Sequence, residues 1–206
     1  MKLYYAPHAC SLAPHIVARE AGIPIELVEV DLATHTLKDG TDYYAINPRG
    51  YVPALALDDG TVLTEVAALV QYLADLAPHA GLAPKAGTIE RVELQAWLTF
   101  IGTELHKQFS PWLWHADTAA TTVEAVKAKI ATRFAELDRG LATRQYLMGD
   151  RFSVADAYAF AIVGWATLMR WDLAAYPSLV AYLARIAERP AVNAAIAAER
   201  PKREAA

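Results

Sequence analysis

The sequence predicts an α/β part followed by an all-helical part, and three observations predict this division. Short strand-like runs alternate with helical segments over residues 1–80. After residue 88 only helical periodicity is found, in a stretch rich in Ala, Leu and Trp. Between them, HAGLAPKAG (79–87) has two glycines, one proline and no periodicity, which is typical of a domain boundary. We therefore expect domains at 1–80 and 88–206, joined by a linker at 81–87.

The elements of the first part follow from its apolar patterns and turn residues. In chain order they are a strand at 2–6, a helix at 11–21, a strand at 25–31, a hairpin that begins with VPALAL (52–57), and a helix at 65–77. Because a helix separates the first two strands, these strands should be parallel and joined by a right-handed crossover. Ser11 is a candidate N-cap of the first helix. The polar stretch at 34–50 is expected to be irregular apart from one helical turn.

The second part is predicted to contain four long helices and a short one. Their ranges are about 88–115, 122–142, 153–170 and 177–189, with the short helix near 191–198. Ser153 is followed three residues later by Asp156, a spacing typical of a capping box. We assign this pair a structural role at the start of its helix.

The composition excludes several classes of function. The formal charge is −4, so the chain lacks the basic surface of a nucleic-acid-binding protein. No uncharged apolar stretch is long enough for a membrane span, and the N-terminus lacks the apolar region of a signal peptide. A lone cysteine cannot form an intramolecular disulfide, which favours a cytoplasmic protein in a reducing compartment. The charged ERPKRE (199–204) is expected to be a solvated tail.

Metal and nucleotide sites are not indicated by the sequence. His8, His15 and His106 do not have a spacing typical of a zinc site, so no metal is expected. No glycine-rich phosphate-binding motif is present either.

Cys10, the only cysteine, lies where the first strand ends and the first helix begins. Unpaired backbone N–H groups and the positive end of the helix dipole favour a thiolate there. A β-α-β start with a cysteine at this turn is typical of a thioredoxin-like fold. The following residues are Ser11, Leu12 and Ala13, so there is no C-x-x-C pair, and any disulfide must form with an external thiol. The site therefore suits work beside a small-molecule thiol.

Two further turns are candidates for ligand binding. Pro53 opens a predicted strand, and in thioredoxin-like folds this proline is cis and leaves the backbone of the preceding Val52 free to pair with a peptide-like ligand. Thr64 or Glu65 begins the next helix. Free N–H groups at that helix start can hold a ligand carboxylate, while the Glu65 carboxylate can hold an ammonium group.

Four stretches in register carry a resemblance to a known family. They are YYAPHACSLAPHI (4–16), NPRGYVPAL (47–55), LTEVAAL (63–69) and YLMGDRFSVADAY (146–158). Together they resemble a bacterial glutathione transferase of the beta class, over essentially the whole chain. The resemblance implies a thioredoxin-like N-terminal domain, a helical domain that lines an electrophile pocket, and a homodimer. It also implies glutathione as co-substrate, added as its thiolate to hydrophobic electrophiles in detoxification.

The resemblance assigns the first-domain residues to glutathione. Cys10 faces the glutathione sulfur, and the backbone of Val52, presented by Pro53, pairs with the cysteinyl part. Glu65 and the backbone of Val66 hold the γ-glutamyl end. Serine is common in the family at the Val66 position, so here only the backbone N–H remains for binding.

The remaining binding residues also come from the resemblance. His106 reaches the glutathione sulfur from the other side, and Glu104 approaches the glutathione amino group of the neighbouring subunit. Thr99 and Thr103 share one helix face with His106 and are expected to line the cleft. Asparagine is frequent in the family at the Thr99 position. His35 stands where lysine is frequent, and since histidine is mostly neutral at pH 7, its contact with the glycine carboxylate should be weaker and pH-dependent.

Tyr5, Ser11 and Lys107 are auxiliary candidates. Tyr5 is a second candidate hydroxyl donor to the sulfur, Ser11 a candidate donor to a thiolate, and Lys107 a source of positive potential. Core packing, helix capping and solvent exposure are their ordinary roles. Some of the apolar and amphipathic side chains of the second part are expected at the electrophile pocket and others in the core or at an interface; they are Trp112, Trp114, His115, Trp165 and Met169.

Two other functions stay open at the level of sequence. In the first, Cys10 is itself the nucleophile and forms a mixed disulfide with glutathione, which gives thiol-transferase or peroxidase activity. In the second, the chain is a non-catalytic binding module of the same fold. The presence of Cys10, Glu65 and His106 speaks against the binding module, and His35 and Val66 speak weakly for it.

Overall fold

The computed structural model describes residues 1–200, which form two compact units. The first contains Met1–Leu82 together with the described residues from Glu188 onward, and the second contains Ala83–Ala187. This division differs from the predicted 88–206 domain at its C-terminal end, where the last helix groups with the first unit. No helix within the described residues has the length and hydropathy needed to cross a membrane.

A five-stranded sheet forms the centre of the first unit. Its strands are β1 (Lys2–Tyr5), β2 (Glu26–Asp31), β3 (Thr36–Leu37), β4 (Ala54–Ala56) and β5 (Val62–Thr64), in the spatial order β3-β2-β1-β4-β5. β1 and β2 are parallel, and the other neighbours are antiparallel. The predicted β-α-β unit and the hairpin are therefore confirmed. β3 lies in the stretch expected to be irregular, where it pairs with the edge of β2.

Residues 1–200 contain seven helices longer than one turn, besides a π-helical stretch at Ile101–His106. They are α1 (Leu12–Glu20), α2 (Val66–Leu76), α3 (Ile89–Phe100), α4 (Ala120–Leu141), α5 (Val154–Leu168), α6 (Pro177–Ala187) and α7 (Pro190–Glu199). Short 3₁₀ turns occur at Tyr43–Ala45 and Pro78–Ala80. α1 and α2 pack together in the first unit, because each has one apolar face that is buried.

Ion pairs connect α7 to α1 within the first unit. Arg189 donates two hydrogen bonds to the Glu20 carboxylate, at 2.6 and 2.9 Å. Glu199 accepts from His15 at 2.7 Å, and burial is the main cause that raises the pKa of this carboxyl. The prediction of a solvated tail at 199–204 is wrong for Glu199, which is only 4% exposed because it pairs with a buried histidine. Residues 201–204 of that tail lie outside the described residues.

The second unit contains α3–α6 and a π-helical continuation of α3. The π-helical stretch is Ile101–His106, and a last turn, Lys107–Phe109, follows it. The buried apolar residues along this long helix are Leu94, Leu98, Ile101, Leu105 and Phe109. The predicted helix to residue 115 ends earlier, because Ser110 precedes a proline and adopts an extended conformation.

The predicted capping box begins α5. The Ser153 N–H and hydroxyl both donate to Asp156 Oδ2 at 2.8 Å. Asp156 Oδ1 accepts from the Leu147 N–H at 2.8 Å and from the Tyr182 hydroxyl at 2.9 Å. The structural role assigned to Ser153 and Asp156 is therefore confirmed, and their network extends to α6.

Candidate functional site

The loop between β1 and α1 is closed by Ser11. Its hydroxyl donates to the Ala6 carbonyl and accepts from the Ala6 N–H, each at 3.3 Å. The expectation that Ser11 caps α1 with its side chain is wrong, because its backbone is already helical and its hydroxyl is bonded to the preceding loop. Ser11 thereby fixes the position of Cys10 at the start of the helix.

Cys10 is buried, with 7% of its surface exposed. Its Sγ–H donates a hydrogen bond to the Val52 carbonyl oxygen at 3.3 Å. The protonated thiol is the donor in this bond, because a thiolate has no proton to donate. Val52 is joined to Pro53 by a cis peptide bond, as the thioredoxin-like fold predicts.

Asn47 and Tyr43 hold the segment that precedes Val52. The Tyr51 carbonyl accepts hydrogen bonds from Asn47 Nδ2 at 2.7 Å and from the Tyr43 hydroxyl at 2.9 Å. Asn47 Oδ1 also accepts from the Arg49 N–H at 3.2 Å. We did not predict a role for Asn47, although it belongs to the NPRG motif of the family resemblance.

Glu65 begins α2 with an unusual backbone. Its φ of 70° and ψ of 118° lie outside the conformations that non-glycine residues commonly adopt. Its exposed carboxylate pairs with Arg49 Nη1 at 3.1 Å, a partner that sequence analysis missed. The first hydrogen bonds of α2 run from the Ala68 and Leu69 N–H groups to the Glu65 carbonyl. The N–H groups of Val66 and Ala67 precede these bonds, so this helix start is suitable for an anion.

His35 packs against the loop that contains Gly50. Its ring lies 4.6 Å from the ring of Tyr44, and its backbone has a positive φ of 53°. His35 Nδ1 is buried and has no hydrogen-bond partner among the described residues. A Cβ added to Gly50 would lie 2.9 Å from this nitrogen, so the loop glycine makes room for His35.

The segment 49–52 thus contacts three of the predicted residues of the first unit. Arg49 pairs with Glu65, Gly50 lies against His35, and the Val52 carbonyl accepts from Cys10. These residues, which are far apart in sequence, are organised by one loop.

Tyr5 is less suited to donate to a sulfur anion. It is buried on β1, and burial, followed by the charge of Glu29, raises its pKa. A phenol with a raised pKa is a weaker proton donor, so core packing accounts for Tyr5.

His106 lies in the π-helical stretch of the second unit. Its Nδ1 is 2.7 Å from the Tyr158 hydroxyl, and its ring packs edge-on against Trp165 at 5.1 Å. Burial, with a smaller contribution from the charge of Lys107, lowers the pKa of His106 to about 4. The imidazole is therefore neutral at pH 7. Tyr158 closes the last motif of the resemblance, but the sequence did not reveal its partner.

Glu104, Thr99 and Thr103 lie on the same long helix. Glu104 accepts from Arg133 at 2.7 Å and pairs with Lys129 at 3.4 Å, and the Arg133 hydrogen bond lowers its pKa. The hydroxyls of Thr99 and Thr103 each donate to the carbonyl four residues earlier. Both threonines are exposed, so their hydroxyls remain able to accept.

An aromatic cluster extends from His106 to the surface of the second unit. Trp165 contacts His106, and Trp114 packs edge-on against Trp165 at 5.5 Å. Trp114 is 49% exposed. His115 and Trp112 instead line a neighbouring groove of about 320 Å³ after the cis Ser110–Pro111 bond. No group of three or more potential metal ligands is found in residues 1–200.

Comparisons with known proteins match both parts of the chain. Family models described as the N-terminal and C-terminal domains of glutathione S-transferase match residues 9–76 and 100–190. Glutathione S-transferase GstA of Escherichia coli O157:H7 is 44% identical, over 97% of this chain and 98% of that protein.

Two solved structures extend the match to the fold. A sphingomonad glutathione S-transferase complexed with glutathione is 46% identical, with a TM-score of 0.92 over 97% of this chain and 98% of that one. A bacterial beta-class enzyme of Sphingomonas chungbukensis is 45% identical, with a TM-score of 0.93 over 97% and 99%. Sequence and fold agree over nearly the full length, and the chain belongs to the glutathione S-transferase family.

Proposed function

We propose that this protein is a beta-class enzyme that conjugates the thiolate of glutathione to hydrophobic electrophiles in detoxification. The observation that carries the proposal is the 3.3 Å hydrogen bond between Cys10 Sγ and the Val52 carbonyl. A peptide-like ligand that pairs with the Val52 backbone brings its cysteinyl sulfur close to Cys10. Membership of the family supports the reaction type.

The charges and donors of the first unit suit the rest of glutathione. The Glu65 carboxylate suits the ammonium of the γ-glutamyl residue, and the start of α2 at Val66 suits its α-carboxylate. Pro53 presents the Val52 backbone to the cysteinyl part. We assign His35 to the glycine carboxylate. Because Nδ1 is buried without a hydrogen-bond partner among the described residues, we assign the contact with this carboxylate to Nε2.

Cys10 and His106 are assigned to the glutathione sulfur. His106 is able to donate a hydrogen bond without a formal charge, and the Cys10 thiol can do so when the ligand takes the Val52 carbonyl in its place. Lys107 adds positive potential beside His106. The glutathione thiol releases its proton to solvent. The thiolate then forms a C–S bond with the electrophilic carbon, and the leaving group departs with the electron pair of its bond. Orientation of the two reactants contributes to the rate alongside thiolate stabilisation.

The aromatic cluster beside His106 is assigned to the electrophile. Trp165 contacts His106, and the half-exposed Trp114 contacts Trp165, so a continuous aromatic surface within the second unit begins at His106. Planar electrophiles such as aryl halides suit this surface, because stacked or edge-on aromatic contacts are favourable.

We further propose a cytoplasmic homodimer. On α3, Ile89 and Val92 are 77% and 62% exposed and lie three residues apart, which gives an apolar face that a partner subunit would cover. Glu104, with Thr99 and Thr103 farther along this helix, is assigned to the glutathione amino group of the neighbouring subunit. A reducing compartment suits both glutathione and a lone cysteine. Sedimentation of the purified protein and cell fractionation test these two assignments.

The conjugation proposal is tested with glutathione and an aryl halide. Cys10→Ala and His106→Ala are compared with wild type. Tyr176→Phe serves as control, because the Tyr176 hydroxyl donates to the Ala131 carbonyl of the same unit at 3.3 Å. We expect wild-type turnover, lower turnover in at least one of the two site variants, and an unaltered control. Unchanged turnover in both site variants would refute their assigned roles. Absence of both conjugation and retention on immobilised glutathione would indicate the binding module.

A second activity, thiol transfer, is supported by the position of the lone thiol at the Val52 backbone. The Cys10 thiol would lose its proton and attack a mixed disulfide between glutathione and a second thiol, forming a Cys10–glutathione disulfide and releasing the second thiol. Free glutathione would then restore the Cys10 thiol and leave as glutathione disulfide. Mass spectrometry of protein treated with glutathione disulfide tests this step. No adduct on Cys10 would count against it.

A further inference from the structure

Tyr158 contacts the His106 imidazole at its Nδ1 edge. Its hydroxyl lies 2.7 Å from His106 Nδ1, and its ring meets the imidazole at a centroid distance of 5.8 Å, nearly perpendicular. Tyr158 is buried on α5, while His106 belongs to the π-helical stretch Ile101–His106. Both lie in the second unit, so the contact belongs to one compact body.

Two neighbouring groups enclose the contact between Tyr158 and His106. Trp165, about two helical turns beyond Tyr158 on α5, packs edge-on against the same imidazole. On the other side, a Cβ added to Gly102 would lie 3.6 Å from the Tyr158 hydroxyl, so the hydroxyl is in contact range of the π-helical backbone. The imidazole is thus held between two aromatic side chains of one helix.

A neutral imidazole carries a single proton, on either Nδ1 or Nε2. The nitrogen that carries it is decided by the hydrogen bond made at the other nitrogen. A phenol is a stronger acid than a neutral imidazole, and the imidazole nitrogen is a stronger base than a phenolic oxygen. The favoured arrangement is therefore O–H donating to Nδ1, with the imidazole proton on Nε2.

We propose that Tyr158 is a positioning residue that donates to His106 Nδ1 and holds this histidine as the Nε2–H tautomer. This tautomer presents a donor, rather than a lone pair, at Nε2. A donor stabilises an anionic sulfur, whereas a lone pair would repel it. The consequence for catalysis rests on the proposed function, while the tautomer itself does not.

The direct test is ¹⁵N NMR of the histidine side chains in the wild-type protein without ligand. The His106 signals are identified by their loss in His106→Gln. We expect a protonated Nε2 and an unprotonated Nδ1 at pH 7. A proton on Nδ1 would overturn the proposal, and this measurement needs no Tyr158 variant to fold.

The second test compares Tyr158→Phe with Tyr176→Phe. Each variant removes one tyrosine hydroxyl from the second unit, but the Tyr176 hydroxyl donates to the Ala131 carbonyl and not to His106. In Tyr158→Phe we expect a mixture of both His106 tautomers and a kcat for aryl halide conjugation about tenfold lower, with the KM for glutathione within about twofold. In Tyr176→Phe we expect the wild-type tautomer and kcat.

The two tests separate this inference from the proposed function. An unchanged tautomer and kcat in Tyr158→Phe would overturn the inference even if the wild type conjugates glutathione. The converse result is a wild type with the His106 proton on Nε2 and a mixture of tautomers in Tyr158→Phe, but no conjugating activity in the wild type. This result would support the tautomer assignment and refute the proposed function.

Discussion

The Cys10 thiol and the Val52 carbonyl are joined by a 3.3 Å hydrogen bond although 42 residues separate them in sequence. The bond connects the start of α1 to the loop that leads into β4. The thiol is the donor in this bond, and the acceptor is the same backbone carbonyl that we assign to glutathione.

Cys10 should react slowly with alkylating reagents in the folded protein. Its sulfur is buried and bonded to the Val52 carbonyl, and alkylation needs an accessible thiolate, so we expect iodoacetamide to react at least about tenfold more slowly than in urea-unfolded protein at the same pH. The chain has one cysteine, so total thiol titration reports this residue alone. A folded protein that reacts faster than the unfolded chain would show an exposed thiolate.

The backbone of Glu65 should be less strained with glycine at this position than with alanine. Its φ of 70° is unfavourable for any residue with a Cβ, so Glu65→Gly should be about 1 kcal/mol more stable than Glu65→Ala in urea unfolding. Both variants lack the carboxylate, and calorimetry should show glutathione affinity reduced to a similar extent in each. Equal stability of the two variants would mean that the backbone of Glu65 stores no strain.

Several elements of the fold could be predicted because their signals are local. The Ser153–Asp156 spacing predicts a helix start, and the structure has the corresponding bonds. The alternation of residues 25–31 predicts β2. By contrast, β3 has two residues and depends on pairing with β2. The sequence pattern within 34–50 does not predict this pairing.

The placement of α7 and the contacts of the site could not be predicted from local patterns. Glu199 lies in a charged stretch typical of a tail, but its partner His15 is 184 residues away. The motifs identified Cys10 and His106, whereas their bonds to the Val52 carbonyl and to Tyr158 are set by packing in three dimensions. The sequence therefore predicts candidate site residues, but not the hydrogen bonds that those residues make.

Gly50 should be sensitive to substitution by alanine for a steric reason. A Cβ at this position would lie 2.7 Å from Tyr44 and 2.9 Å from His35 Nδ1, whereas a Cβ on Gly60 would meet nothing within 4 Å. Both glycines have positive φ, so Gly60→Ala controls for backbone strain. We expect Gly50→Ala to be about 1–3 kcal/mol less stable than Gly60→Ala and to bind glutathione more weakly. Equal losses in urea unfolding would contradict the close packing.

His106 should make the folded state sensitive to acid. Burial holds its pKa at about 4, below the 6.5 of an ordinary histidine, so the unfolded chain binds an extra proton between these values. The contribution of His106 to stability is therefore present above pH 6.5 and is lost as the pH falls toward 4, by up to about 3 kcal/mol. His106→Gln should remove this part of the pH dependence in urea unfolding. Parallel curves for wild type and variant would show that the histidine titrates alike in both states.

Asp156 should be among the most important polar side chains for stability. It is buried and accepts from the Leu147 N–H, the Ser153 N–H and hydroxyl, and the Tyr182 hydroxyl. Asp156→Ala leaves these buried donors without their acceptor, so we expect a loss of about 3–5 kcal/mol in urea unfolding. Asp172→Ala is the control, because that exposed carboxylate accepts one backbone N–H and its loss should cost less than about 1 kcal/mol. If the two variants lost similar amounts, the network that joins α5 to α6 would contribute little.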